Sequence, residues 1–193
     1  MIKVLFILGD YVEDLDFFSI NSLLHKCRDY VDAKIEYTSH MSTVYSNNGF
    51  PISTVPISQL GSYLCNAIVI PGSKNYDTLL KYRDEFMVLL KKNIMSGCKI
   101  YTICSGAKLL GELGLLEGAQ VSVHKTKQEE YAKYKAVIGT RVEKRSWLTS
   151  VGHHPDYIYV KSVECFFQVI QDIFPPFCMD SIVQRTEIRA MNN

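Results

Sequence analysis

Residues 99–107 read Lys-Ile-Tyr-Thr-Ile-Cys-Ser-Gly-Ala, a short β-rich run that passes without a linker into a helical segment ending near Leu113. A strand that must turn at once into a helix forces its junction residue, here Cys104, into strained backbone geometry with the side chain lifted above the sheet. Gly106 keeps such a turn free of side-chain crowding. The N–H groups that open the helix have no intrahelical partner and, with the helix dipole, favour a thiolate. The amide of Ser105 is placed to donate to an oxyanion. A thiol in that setting can attack electrophilic carbon or be oxidised. A structural cysteine closing a buried strand gives the same local spacing, so the turn alone leaves both readings open.

The rest of the chain narrows the chemistry. Six cysteines stand at 27, 65, 98, 104, 165 and 178, with no Cys-x-x-Cys pair and none at metal-ligand spacing from a histidine. No metal, cofactor or disulfide framework is expected, and in a reducing compartment most of these thiols serve as small buried hydrophobes. Cys98 and Cys104 are close enough in sequence to share a strand. Lys and Arg number 21 against 20 Asp and Glu, a formal charge of +1, which gives no footprint for nucleic acid or for an acidic membrane surface. Small-molecule chemistry or protein contacts remain. The N-terminus runs from Met1-Ile2-Lys3-Val4 directly into Gly9-Asp10, without the apolar stretch and cleavage site of a signal peptide, and no window reaches a membrane span. A soluble, cytoplasmic protein is expected.

The elements that must position Cys104 follow an alternating order. Residues 2–8, 66–70 and 99–103 are continuous apolar or β-rich runs of buried-strand type, and 33–38 is a further strand. Helical spacing covers 15–27, with Leu15, Phe18, Leu23 and Leu24 as its apolar positions, and 76–95, with a break near Tyr82. Residues 45–55, with Asn47-Asn48-Gly49, form a turn or small hairpin. Then come a strand at 120–124, a short helix at 128–134, one or two strands within 141–150, and a last helix at 157–174 stopped by Pro175-Pro176. Strands alternating with helices imply an α/β fold with a mainly parallel sheet covered on both faces. The absence of a repeat, a low-complexity tract or a linker predicts one domain over residues 1–193.

With these segments in order, the chain resembles the ThiJ/PfpI superfamily, which shares the fold of class I glutamine amidotransferases. The carrying stretches are Val4-Leu5-Phe6-Ile7-Leu8 followed by Glu13-Asp14-Leu15-Asp16; Ala67-Ile68-Val69-Ile70-Pro71-Gly72-Ser73, with Ser73 in place of the second glycine of a Pro-Gly-Gly loop; and Ile103-Cys104-Ser105-Gly106-Ala107. Leu113-Gly114-Leu115-Leu116-Glu117-Gly118 and Val121-Ser122-Val123-His124, then Arg141-Val142-Glu143-Lys144 and Leu148-Thr149-Ser150-Val151-Gly152, complete the match. The resemblance implies a three-layer sandwich whose nucleophile elbow carries Cys104, and a homodimer.

The resemblance also implies partners for the thiol. An acid from the loop after the first strand contacts the cysteine in this superfamily, and Asp16 matches the acid of its isonitrile hydratase branch, with Glu13 as a second candidate. Such an acid shares a proton with the thiol or passes one to substrate; without that role Asp16 simply complements the dipole of the helix it opens. The counterparts of His124 lie near the nucleophile. Gly72 and Ser73 would supply a backbone oxyanion donor beside Ser105, a bond that needs no side chain. Ser105 stands where the protease-like branch places histidine, which argues against a peptidase. Gly152-His153-His154-Pro155-Asp156 departs from the usual small-residue loop, and either histidine could reach the thiol or simply cap a surface loop.

The function implied is a cofactor-independent enzyme whose thiolate adds to an electrophilic carbon of a small molecule before water completes the reaction. Hydration of a carbon–nitrogen multiple bond, as in the isonitrile hydratase branch, and amide-type hydrolysis would use the same parts. So would aldehyde chemistry on a glyoxal-type substrate. A redox-responsive stress protein using the same cysteine is the alternative.

Overall fold

The run Ile2–Ile7 (β1) shows no polar–apolar alternation, which requires a strand covered on both faces. Val4 and Phe6 pack into one helical layer, Leu5 and Ile7 into the other, and all four are fully buried. The computed structural model describes residues 1–123, 125–139, 142–144, 146–152 and 161–186.

In chain order β1 is followed by β2 (Asp10–Val12), α1 (Asp14–Cys27), β3 (Ala33–Ser39), the hairpin of β4 (Thr43–Tyr45) and β5 (Pro51–Ser53), β6 (Val55–Pro56) and α2 (Ile57–Leu60). β7 (Ala67–Ile70) leads to β8 (Ser73–Asn75), α3 (Asp77–Leu80) and α4 (Arg83–Met95). β9 (Lys99–Ile103) enters α5 (Ala107–Glu112) through a tight 3-10 turn at Cys104–Gly106. β10 (Gln120–Ser122), α6 (Gln128–Ala132), β11 (Val137–Gly139), β12 (Val142–Lys144), β13 (Leu148–Val151), α7 (Lys161–Ile173) and α8 (Pro176–Thr186) complete the described chain.

Seven strands form one sheet in the order β12-β13-β9-β7-β1-β3-β6, parallel except for the antiparallel edge pair β12–β13. Helices cover both faces, so the architecture is a three-layer α/β sandwich of the class I glutamine amidotransferase-like type. One layer holds α1, α7 and α8, the other α4 and α5. In α7, Ser162, Cys165, Phe166, Val169 and Ile170 are buried, the three-and-four spacing of a helix lying on a sheet.

Several expectations shift in detail. Helix α1 buries Phe17, Ile20, Leu24 and Cys27, and Phe17 meets Phe6 edge-on at 5.5 Å. That phase turns Leu15 (65% exposed) and Phe18 outward, contrary to the expected apolar face. The helical stretch after β8 does break at Tyr82, between α3 and α4. Pro175-Pro176 ends one helix and also begins another, α8, which the sequence pattern did not suggest, because proline fits the first turn of a helix as well as it stops one. The strand near residue 120 joins β11 in a separate two-stranded sheet instead of the central one. Cys98 and Cys104 flank β9 without belonging to it. Among the described residues no helix is long and apolar enough to cross a membrane.

Candidate active site

The C-terminal ends of β1, β7 and β9 lie side by side, and the loops leaving them meet. At the end of β9 the backbone of Cys104 takes φ 54°, the left-handed region that a non-glycine residue enters only under constraint. The constraint is visible at Gly106, where a Cβ would lie 2.0 Å from the Ile70 carbonyl oxygen. The turn therefore packs directly on the backbone of β7, and only glycine fits there. Cys104 is half-buried, its thiol held at a cleft of about 370 Å³ lined also by Ser73, Ser105 and Tyr131.

The loops after β1 and β7 are zipped together by the antiparallel pair β2–β8, with Asp10 opposite Asn75 and Val12 opposite Ser73. The Glu13 N–H donates to the Gly72 carbonyl at 2.7 Å, and Thr78 Oγ1 donates to Asp10 Oδ2 at 2.6 Å. This ribbon delivers Asp16, in the first turn of α1, to the elbow. A Cβ at Gly72 would stand 2.6 Å from Asp16 Oδ2, 3.3 Å from Ser105 Oγ and 3.4 Å from Cys104 Cβ. Glycine at 72 thus leaves the space in which the acid, the hydroxyl and Cys104 converge.

Asp16 is 3% exposed, and among the described residues its Oδ2 has no hydrogen-bond partner. Burial pushes its carboxyl up to about 6. The Lys161 ammonium and the Gly72 N–H pull the other way, whereas the Glu13 carboxylate adds to the rise. An acid with that value exchanges its proton near neutrality, which suits proton transfer. Lys161, the first residue of α7, sits 4.0 Å from Asp16 Oδ1, and the Cys104 thiol also acts on its charge. Burial works against its charge, but Asp16 and Cys104 outweigh it and hold the ammonium above the usual lysine range. An acid, a cation and a thiol therefore share one partly dehydrated space.

The remaining expected residues take other places. Glu13 precedes α1 and accepts from Asn47 Nδ2 at 2.6 Å, so it braces the β4–β5 turn and acts on Asp16 only through its charge. The Ser73 N–H, expected to be available for an oxyanion, donates instead to Ser105 Oγ at 3.1 Å, while Ser105 Oγ donates to the Ser73 carbonyl at the same distance. The serine side chain at 105 thus clasps the loop beside the elbow. His124, His153 and His154 lie outside the described residues. Among the described residues no group of histidine, cysteine, aspartate and glutamate could hold a metal ion.

Two participants escaped the sequence reading. Lys161 carried one signal: a cation in the first turn of a helix opposes the dipole, and so asks for a negative partner elsewhere. Tyr131, 2% exposed at the wall of the cleft, carried none.

A mainly parallel α/β sheet covered on both faces, with a cysteine in a left-handed turn at the end of β9, places the chain in the class I glutamine amidotransferase-like fold class. Within that class the chain belongs to the DJ-1/PfpI family, whose model matches residues 2–163. No curated protein matches it in sequence. Its fold is similar to DJ-1beta of Drosophila melanogaster, with 15% identity, a TM-score of 0.78, and coverage of 98% of this chain and 99% of that one. It is also similar to oxidized DJ-1 of Toxoplasma gondii, at 19% identity and TM-score 0.77, covering 98% and 100%. A DJ-1 superfamily protein of Salmonella typhimurium, solved as a cysteine-to-alanine mutant, matches at 18% identity and TM-score 0.75, again over 98% and 100%.

Proposed function

We propose that this protein is a cofactor-independent cysteine enzyme acting on a small electrophilic molecule, with Cys104 as nucleophile and Asp16 as proton carrier. The observation that supports this most is the convergence at Gly72 of Cys104 with a buried acid whose carboxyl is raised to about 6. With an isonitrile, the Cys104 sulfur bonds to the terminal carbon and the Asp16 carboxyl gives that carbon its proton, forming a thioimidate. Water then adds to the same carbon, giving one proton to nitrogen and the other back to the Asp16 carboxylate, and the carbon–sulfur bond breaks to release the N-formyl amine and restore the thiolate. Amide-type hydrolysis would run through a thioester by the same sequence of addition and hydrolysis. Lys161 holds the charge that remains on sulfur or on Asp16 as the proton moves.

The test is to incubate the protein with alkyl isonitriles, simple amides and a 2-oxoaldehyde, and to follow N-formyl, acid or hydroxy-acid product by mass spectrometry. Turnover of one class, lost in Cys104→Ser, is expected. A second reading draws on the same geometry: a protonated Asp16 beside a half-buried thiol can hydrogen-bond an oxidised sulfur, which suits a redox-responsive protein. No turnover, together with peroxide-driven oxygen addition confined to Cys104, would select it.

We also propose a cytoplasmic homodimer. Leu15, Phe18 and Phe50 form an exposed apolar patch beside the first turn of α1, with the Phe18 and Phe50 rings 6.1 Å apart, and family members are commonly homodimers. A dimer by light scattering at micromolar concentration is the expected result, and a monomer would overturn it.

A further inference from the structure

The cleft in front of Cys104 is chemically one-sided. Among the described residues, three lysines, Lys74, Lys108 and Lys127, line it with a single carboxylate, Glu130. These described residues sum to a formal charge of +2, in a chain whose total is +1. Glu130 is already engaged twice, at 3.1 Å by Lys108 Nζ and at 3.3 Å by Lys127 Nζ, and is only partly exposed. Lys74 has no carboxylate partner among the described residues. The deeper Asp16–Lys161 pair balances itself and does not offset the excess.

The neutral groups of the wall tell the same way. Among the described residues the buried Tyr131 hydroxyl makes no hydrogen bond of ordinary geometry, although the Lys108 backbone N–H acts on its charge. Burial, with Cys104 next, holds this phenol well above the usual tyrosine range, so it keeps its proton. The cleft therefore offers ammonium and hydroxyl donors, and its one strong acceptor is taken. Buried donors without partners are costly, and a ligand rich in acceptor oxygens would relieve that cost.

From this donor excess and positive charge we infer that the electrophile attacked by Cys104 carries its own anionic group, a carboxylate or a phosphate, which Lys74 and Lys127 receive at the rim. The inference rests on Cys104 being the nucleophile and adds the substrate class. A low-dielectric cleft lined by one sign of charge concentrates ligands of the opposite sign by ~10- to 1,000-fold.

Two alkylating agents that differ in charge test it without knowledge of the substrate. Rate constants for modification of Cys104 by iodoacetate and by iodoacetamide are measured at one pH by mass mapping, and their ratio is compared with that for 2-mercaptoethanol. Because both agents need the same thiolate, the ratio cancels the thiolate fraction and reports only the preference for charge. The expected ratio is at least ~10-fold above the reference at low ionic strength, falling to within ~2-fold of it at ~0.5 M salt. Lys74→Ala should lower it severalfold and Lys74→Arg should keep it. Inorganic phosphate and acetate are then tested as protectants against iodoacetate. Stronger protection by phosphate assigns phosphate esters, and stronger protection by acetate assigns carboxylates. A ratio at the reference value, or protection by neither anion, overturns the inference. If iodoacetamide still modifies Cys104 first, the nucleophile reading survives that failure. If neither agent modifies Cys104 ahead of the other cysteines, the nucleophile reading falls, and this inference with it.

Discussion

Strand β9 has a cysteine just beyond each end, and the two thiols live in opposite worlds. Cys98, before the N-terminal end, is buried with its Sγ 3.9 Å from Cys65 Sγ. Cys65 in turn donates its backbone N–H to Asn93 Oδ1 at 2.9 Å and its thiol to the same oxygen at 3.3 Å. Hydrogen bonding to Cys98, burial and the neighbouring thiol push the Cys65 thiol far up, so this corner is a packed, uncharged filling. Cys104, past the C-terminal end, has a left-handed backbone, an acid, an ammonium and an open cleft. The same side chain becomes packed filling or a thiol among charged groups according to which end of the strand it flanks. In a parallel sheet the C-terminal ends release loops into a crevice, and the loops bring the charged partners.

The largest expected effect is the contrast in alkylation. Burial and the neighbouring Cys178 push the Cys27 thiol up to about 12, and Cys65 and Cys165 are also raised. At pH 7.5 a thiol at about 12 carries ~1,000-fold less thiolate than an ordinary exposed one near ~8.5. Limiting iodoacetamide followed by peptide mapping should find Cys104 modified well ahead of Cys27, whose raised thiol is almost wholly protonated. Comparable labelling at Cys65 or Cys98 would dissolve the contrast between the two ends of β9.

The contrast was half legible in the sequence. Continuous apolar runs announced β1, β7 and β9, and the cysteine–glycine spacing announced the elbow, because both are local patterns. Asp16 could be named because the chain between β1 and α1 is short and its end is fixed by the resemblance. Lys161 lies 57 residues after Cys104 and reaches it only through the packing of α7 against α1 and the sheet, which no local pattern encodes. The Cys65–Cys98 contact is likewise a product of β7–β9 register. The apolar spacing of Leu15, Phe18, Leu23 and Leu24 does not by itself set the phase of the helix; Phe17 against Phe6 does.

Next in size is Asp16→Asn. Losing the proton carrier should slow turnover at least ~100-fold while Cys104 still alkylates. Unchanged turnover would remove Asp16 from the chemistry. The same variant has a stability signature with a defined sign. The carboxyl rises from 3.8 to about 6 on folding, so the native state binds more protons between those values. Its contribution is complete below 3.8 and is lost as pH rises through about 6, a change on the order of 3 kcal/mol at ~1.4 kcal/mol per unit. Urea unfolding should show Asp16→Asn more stable than the parent at pH 7 and not at pH 3.5. An unchanged difference across that range would mean that Asp16 is not buried as a strained acid.

Smaller still is Lys161→Met, which keeps the length of the side chain and removes the charge. The ammonium opposes the rise of the Asp16 carboxyl, so its loss should move the Asp16 stability transition above pH 6. Alkylation of Cys104 should slow by ~10-fold, the scale of one close charge partner in a partly dehydrated site. Glu13→Gln should matter less: glutamine can still accept from Asn47, and only a remote charge disappears. Equal losses in the two variants would point to one shared charge network at the elbow.

The smallest effect is expected at the far end of β9. Cys65→Ser replaces a thiol that touches Cys98 and Asn93 by a smaller hydroxyl that keeps the bond to Asn93 Oδ1 and gives up sulfur packing. A loss of ~1 kcal/mol in unfolding free energy is the scale for a change of about one methylene in a packed interior. Cys104 should scarcely notice. Five residues of strand place the two ends ~17 Å apart, beyond the ~8 to 10 Å over which charge is felt at ordinary ionic strength, and no charge changes in any case. The iodoacetamide rate at Cys104 should stay within ~2-fold of the parent while the urea midpoint falls. A Cys104 rate that dropped together with stability would mean that β9 transmits strain from its packed end to its left-handed one. The elbow would then depend on the whole length of the strand, and not only on Gly106, Gly72 and the loops beside them.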